Sequence, residues 1–231
     1  WCWGKNSGGQ IGTGNSETPV LVPFEVVIEG PEGPLEVTEI AAGRDHTCAV
    51  AGGGAWCWGK NSGGQIGTGN SETPVLVPFE VVIEGPEGPL EVTEIAAGEL
   101  HTCVVTAGGG VWCWGKNSDG QIGTGDKKTP VLVPFKVAIA ESVDVTGITA
   151  NGRHTCAVTA VGGVWCWGKN QYGQVGTGDK ETPVMTPKEF EVEFSFDGSG
   201  GTVTVAGLGY SEYTVQVRVR NAVGWSEWSS R

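Results

Sequence analysis

The cysteines and histidines have the widest chemical reach in this chain, and their spacing is regular. His46, His101 and His154 each stand two residues before a cysteine (Cys48, Cys103 and Cys156), and a second cysteine (Cys57, Cys113 or Cys166) follows nine or ten residues later. Three chemistries would use such a set. Zinc takes imidazole and thiolate, but a closed site needs four ligands. The dipeptides before the histidines, Arg44-Asp45, Glu99-Leu100 and Gly152-Arg153, supply no constant fourth one. A nucleophilic cysteine needs an activating base at a single site, whereas this set occurs three times. A disulfide needs only two cysteines brought together. Residues 101–115, HTCVVTAGGGVWCWG, read as two strands joined by a glycine turn, with one cysteine on each arm. Antiparallel partners lie about 4.5–5.5 Å apart at Cα, a span a disulfide closes. Disulfides Cys48–Cys57, Cys103–Cys113 and Cys156–Cys166, each beside a structural histidine, are therefore favoured over zinc, and no metal or other cofactor is expected.

The period of two in W-C-W places both tryptophans on one face and the cysteine on the other. The pairs Trp56/Trp58, Trp112/Trp114 and Trp165/Trp167 are expected to pack between neighbouring units rather than to hold a sugar or peptide. Trp1-Cys2-Trp3-Gly4 opens a further copy. The partner of Cys2 would lie upstream of residue 1, so Cys2 is expected to be unpaired and the chain to be a fragment of a longer protein.

The loop K-N-S-D-G-Q-I-G-T-G, residues 116–125, is rich in glycine but lacks G-K-[S/T], and no helix follows. It reads as a series of turns rather than a phosphate cradle. Asn117, Asp119 and Asp126 offer oxygens to calcium, but such a site needs six or more, and the two preceding copies carry Gly and Asn at the aspartate positions.

These residues need elements to hold them. The 231 residues include 40 glycines and 12 prolines, recurring between short hydrophobic runs where turns belong. No amphipathic helical period is visible, which implies an all-β chain, and no run is long enough to cross a membrane as a helix. Scattered among 26 acidic residues, the 14 basic ones argue against nucleic acid, and the net charge of −12 reads as a soluble, self-repelling surface. Regularly paired cysteines point to an oxidising compartment, extracellular or at the cell surface.

Trp1, Trp56, Trp112 and Trp165 mark a repeat, and residues 1–43 and 56–98 are identical, from a recent duplication or an assembly artefact in the sequence record. Each unit carries a W-C-W-G strand, the loop, an apolar run such as Val131–Ile139, a strand near Val143–Ala150, and the next H-T-C arm. Four strands in roughly fifty residues is the size of a propeller blade.

The order G-K-N-S-G-G-Q-I-G-T-G, T-P, apolar strand, I-A-A-G, H-T-C and W-C-W-G resembles the repeat of the regulator of chromosome condensation family over residues 1–187. The resemblance implies a β-propeller, seven-bladed in that family. Only three full blades and a cut one can be counted, so a partial propeller of four-stranded blades with exposed faces is expected, open to association through those faces. The family's founding member is a nucleotide exchange factor for a small GTPase and binds chromatin. The units carry no inserted wedge, and paired cysteines fit poorly with the nucleus.

Residues 188–231 lose the cysteines and the N-S-x-G-Q loop. They are similar to the latter half of a fibronectin type III domain, with Leu208, Tyr213, Asn221 and Gly224 at its motif positions and Tyr213 as the tyrosine-corner residue. The first two strands of such a sandwich are missing, so an extra blade is an equal reading. The box W-S-E-W-S, 225–229, resembles that of cytokine-receptor domains, which implies a cation–π stack of Arg218 and Arg220 with Trp225 and Trp228.

The functional expectation is a non-enzymatic scaffold that binds a protein partner through the loops Asn15–Glu17, Asn70–Glu72, Asp126–Lys128 and Asp179–Glu181. An exchange factor is the alternative that the resemblance supplies. A carbohydrate or cell-wall binding module is the third.

Overall fold

The computed structural model describes residues 1–140 and 143–190, together with the short strands Gln216–Val217, Arg220–Asn221, Gly224–Trp225 and Ser229–Ser230. The described residues are all-β. Strands β1 (Cys2–Gly4) and β2 (Val20–Phe24) form a two-stranded sheet. The pair β3 (Glu29–Gly30) and β4 (Gly33–Pro34) is a small hairpin that leads to the first complete blade. That blade consists of β5 (Val37–Ala42), β6 (His46–Ala51), β7 (Gly54–Gly59) and β8 (Val75–Val81). A second hairpin, β9 (Glu84–Gly85) and β10 (Gly88–Pro89), precedes β11 (Val92–Ala97), β12 (His101–Thr106), β13 (Val111–Gly115) and β14 (Val131–Lys136). The third blade is β15 (Val145–Asn151), β16 (His154–Thr159), β17 (Val164–Gly168) and β18 (Val184–Phe190). Every complete sheet is antiparallel, with its strands in chain order. β1 and β2 match the last two strands of such a blade. The architecture is a partial β-propeller.

Strand β18 runs on to Phe190, three residues beyond the expected junction at 187/188, with Lys188, Glu189 and Phe190 paired to Cys166, Trp165 and Val164 of β17.

The hairpin turn absorbs a length difference that the sequence left unexplained. In the first blade Ala51 pairs with Gly54, and the two residues between, Gly52 and Gly53, both have positive φ (57° and 74°). That is the geometry two-residue hairpins favour. In the second blade a longer turn is closed by Thr106 N–H on Gly110 O, with Gly109 at φ 71°. The extra residue is taken up in the turn, so the cysteines stand directly opposite in both blades, nine residues apart in one and ten in the other.

The cores lie between blades. Cys48, Cys57, Val50 and Ile66 of the first blade pack with Ile95, Val104 and Trp114 of the second, and Trp112 covers their margin. Cys103, Cys113, Val105 and Ile122 of the second pack likewise with Ala157 and Trp167 of the third, with Trp165 at the margin. Ala49, Ala51 and Trp58 pack with Ile28 and, at the margin, Cys2, Val26 and Trp56. Each seam thus sets the disulfide face of one blade against the tryptophan face of the next, the two faces that the period of two separates.

Candidate functional site

The cysteine pairs, with His46 and His101, are spent on structure, whereas His154 is half-buried and makes no side-chain hydrogen bond among the described residues. Cys48–Cys57, Cys103–Cys113 and Cys156–Cys166 are bonded, each with its Cα atoms 4.1 Å apart. Cys2 is free and half-buried, and burial pushes its thiol pKa up. His46 Nε2 lies 3.0 Å from Thr102 Oγ1 of the next blade, and His101 Nε2 lies 2.9 Å from Thr155 Oγ1. Those threonines donate their only hydroxyl protons to Gln65 O (2.8 Å) and Gln121 O (2.9 Å). Each must therefore accept from the histidine, which places the imidazole hydrogen on Nε2. Burial pushes His46 down to about 4 and His101 to about 3, so both rings are neutral near pH 7. No group of three metal-ligating side chains gathers among the described residues.

The same glutamine carbonyls collect a second donor. Trp114 Nε1 donates to Gln65 O and Trp167 Nε1 to Gln121 O, both at 2.9 Å. Gln10 O receives Trp58 Nε1 at 3.0 Å and Thr47 Oγ1 at 2.8 Å. One backbone oxygen at the loop of each blade thus holds two side chains of the following blade. Glycine ends W-C-W-G because this joint is tight: a Cβ on Gly59, at φ 111°, would lie 2.8 Å from both Asp45 O and His46 Cα.

Asn6, Asn61, Asn117 and Asn170 are fully buried and organise the loops. Asn117 Nδ2 donates to Thr124 Oγ1 (2.8 Å), Asp126 O (3.0 Å) and Lys128 O (3.3 Å), while its Oδ1 accepts from Ile122 N (3.0 Å). Asn170 repeats this set with Thr177, Asp179, Glu181 and Val175. Asp126 Oδ1 caps its own turn through Thr124 Oγ1 and Lys128 N, and Asp119 pairs with Arg153 at 3.4 Å. The three oxygen carriers weighed for calcium are each engaged within the protein. The expected contact loops, Asn15–Glu17, Asn70–Glu72, Asp126–Lys128 and Asp179–Glu181, are exposed at the outer margin. A cleft of 700 Å³ opens there beside Lys127, Asp179, Glu181 and Met185.

The dipeptides that failed as metal ligands form a chain of ion pairs across the blades. Lys5 Nζ reaches Asp45 at 2.8 Å, Arg44 pairs with Glu99, and Glu99 pairs with Arg153 at 2.8 Å. The Arg44 and Arg153 guanidinium groups hold the Glu99 carboxyl below its ordinary pKa.

Trp58, Trp114 and Trp167 are buried in the seams, and Trp56, Trp112 and Trp165 are half-buried at their margins. Of the expected tail stack, Arg220 and Trp225 stand opposite each other on paired backbone, whereas Arg218 and Trp228 lie outside the described residues, as do Leu208 and Tyr213.

These features define a partial propeller with stapled blades and hydrogen-bonded seams. The chain belongs to the regulator of chromosome condensation (RCC1) repeat family, whose model matches residues 1–50, 52–105, 108–158 and 161–206. The last match runs past residue 187, and the comparisons give the fibronectin type III resemblance of the tail no support. The chain is 30% identical over 232 residues to the ultraviolet-B receptor UVR8 of Arabidopsis thaliana, covering 98% of this chain and 49% of the relative. It is 35% identical over 179 residues to the probable E3 ubiquitin-protein ligase HERC3 of Homo sapiens, covering 76% of this chain and 16% of the relative. The structure of human WBSCR16 superposes with a TM-score of 0.66 at 23% identity, over 81% of this chain and 46% of that one. Prp20p from Saccharomyces cerevisiae gives 0.59 at 23% identity, over 67% and 38%. Both share the fold. The chain spans about half the length of these relatives, or less.

Proposed function

We propose that the chain is a non-enzymatic scaffold of a secreted or cell-surface protein, and that it binds a protein partner through the loops after each G-T-G. The observation that carries this reading is the contrast within each loop. A buried asparagine and its threonine recur in every copy, while the exposed tips differ: N-S-E twice, then D-K-K and D-K-E. A fixed base with variable tips suits recognition, because tips can change without cost to the fold. Two of the three imidazoles and six of the seven thiols are engaged in seams and staples, and three disulfides fit an oxidising compartment. A relative offers a parallel, since the Prp20p structure was described with its binding to Gsp1p and histones.

The test is a photo-crosslinker placed at Lys128 and at Lys180 in the intact chain, with a third placed on β8 at Val77. Adducts with one protein from the loop positions alone support the reading. Equal labelling at Val77, or loop substitutions that leave capture unchanged, would remove it. Acceleration of nucleotide release from a small GTPase would favour the exchange-factor alternative.

A further inference from the structure

On the margin of the blades that carries the hairpin turns, a groove recurs, and the described rim residues of its two copies differ in charge. The first, of 460 Å³, lies between the Gly52–Gly54 turn and the connector that leads to the second blade, with Val81, Ile83 and Leu90 along it. The second, also of 460 Å³, lies between the Gly108–Gly110 turn and the connector to the third blade, with Val137, Ile139 and Val143 in the same places. Glu80 and Glu91 flank the first. A Cβ on Gly54 would lie 3.4 Å from Glu80 Oε1, and one on Gly53 would lie 3.2 Å from Glu91 Cγ, so the carboxylates border the turn on two sides. In the second groove, Lys136 stands opposite Trp112 where Glu80 stands opposite Trp56, and Asp144 occupies the place of Glu91.

We infer that the first groove is a docking site for an extended segment of another protein, one that carries lysine or arginine next to an aliphatic residue. Three observations converge on a cationic occupant. Glu80 and Glu91 are both exposed, and neither makes an ion pair among the described residues. Residues 75–98 hold five glutamates (Glu80, Glu84, Glu87, Glu91 and Glu94) and no Lys or Arg. Val81, Ile83, Leu90 and Val92 give the groove an apolar side, so an aliphatic side chain and the stem of a lysine can pack there while the ammonium reaches a carboxylate at either rim. A bare divalent cation fits poorly, because the two carboxylates stand apart across the turn and do not converge with a third ligand. The second groove, of equal volume, carries one cation and one anion, Lys136 and Asp144, among the described residues of its rim.

The inference rests on the reading of the chain as a protein-binding scaffold but uses a different margin, so the two can fail separately. The probe is a fluorescein-labelled nonapeptide of alternating lysine and leucine, followed by anisotropy on the intact chain. Binding is expected at one site per chain, weakening with salt and falling roughly fivefold or more in the double variant Glu80→Gln/Glu91→Gln. Lys136→Glu, which gives the second groove the rim of the first, is expected to raise the stoichiometry to two. A peptide with serine in place of leucine, if it bound equally well, would show charge attraction alone and overturn the groove. So would unchanged binding in the double variant, or no binding. Self-association abolished by the same double variant would make a second copy the occupant and overturn the heterologous partner. Changes to the loop tips at Lys127 and Lys128 should leave peptide binding as it was.

Discussion

Residues 1–43 and 56–98 have the same letters and very different surroundings. Trp58 is 2% exposed and Trp3 61%; Ile95 is 4% exposed and Ile40 58%. Trp58 and Ile95 face the seams on either side of the first complete blade. Trp3 and Ile40 lie at the leading edge, where only the two strands β1 and β2 stand in front of the blade. At the trailing edge Val158 is 44% exposed, whereas Val50 in the matching place is 2% exposed. Burial here is a property of the neighbouring blade, not of the local sequence. A repeat contributes half of each of two cores, and neither half is a core alone.

That contrast can be tested at its strongest point first. Trp114→Ala should cost about 3–5 kcal/mol, because it empties a seam and strips a donor from Gln65 O. Trp3→Ala, with the same place in its unit, should stay within roughly 0.5 kcal/mol. Denaturant unfolding with the disulfides intact measures both, and equal costs would erase the distinction between seam and edge.

Next comes acid. His46 and His101 have folded pKa values of about 4 and about 3, below the unfolded value near 6.5. The unfolded chain therefore binds more protons between those limits. The stability from the neutral rings is complete above about 6.5 and drains away as pH falls towards 4. A few kcal/mol should be lost across that window, and His101→Asn should flatten the profile. Glu99 is held below its ordinary value, so of these groups only the histidines account for loss above the carboxylate range, and below it the two contributions overlap.

Replacing Cys103 and Cys113 together by alanine should cost about 3 kcal/mol by loop entropy. In native, unreduced protein a thiol reagent should find one reactive cysteine, Cys2, and mass spectrometry of the labelled chain would show any other. Among the bonded groups, the smallest effect is expected at Glu99→Gln. It releases Arg44 and Arg153, yet these are exposed pairs, so no more than about 1 kcal/mol should go, and less in high salt.

The hairpins, staples and tryptophan faces were legible because each follows from a period of two inside one short segment. The seam chemistry was not, because its partners stand far apart in sequence: His46 meets Thr102, and Trp114 meets the carbonyl of Gln65. One signal was available. Asn6, Asn61, Asn117 and Asn170 are unchanged inside loops whose neighbours vary between Gly, Asp and Tyr, which marks a buried residue in a polar stretch. The mismatch of Arg44-Asp45, Glu99-Leu100 and Gly152-Arg153 carried information as well. At the matching position Arg44 meets Glu99, and Arg153, one position nearer its histidine, pairs with Glu99 from the third blade. The fibronectin-like reading of the tail came from short β-rich motifs, which many all-β repeats share.

Since the first two staples lie inside seams, a reductant in solution meets them only after two blades have parted. Cys156 sits at the margin, half-buried, so its bond is the one a reductant reaches first. Cys156–Cys166 should therefore be reduced before the two seam bonds, and the count of thiols released over time would report how many seams still hold.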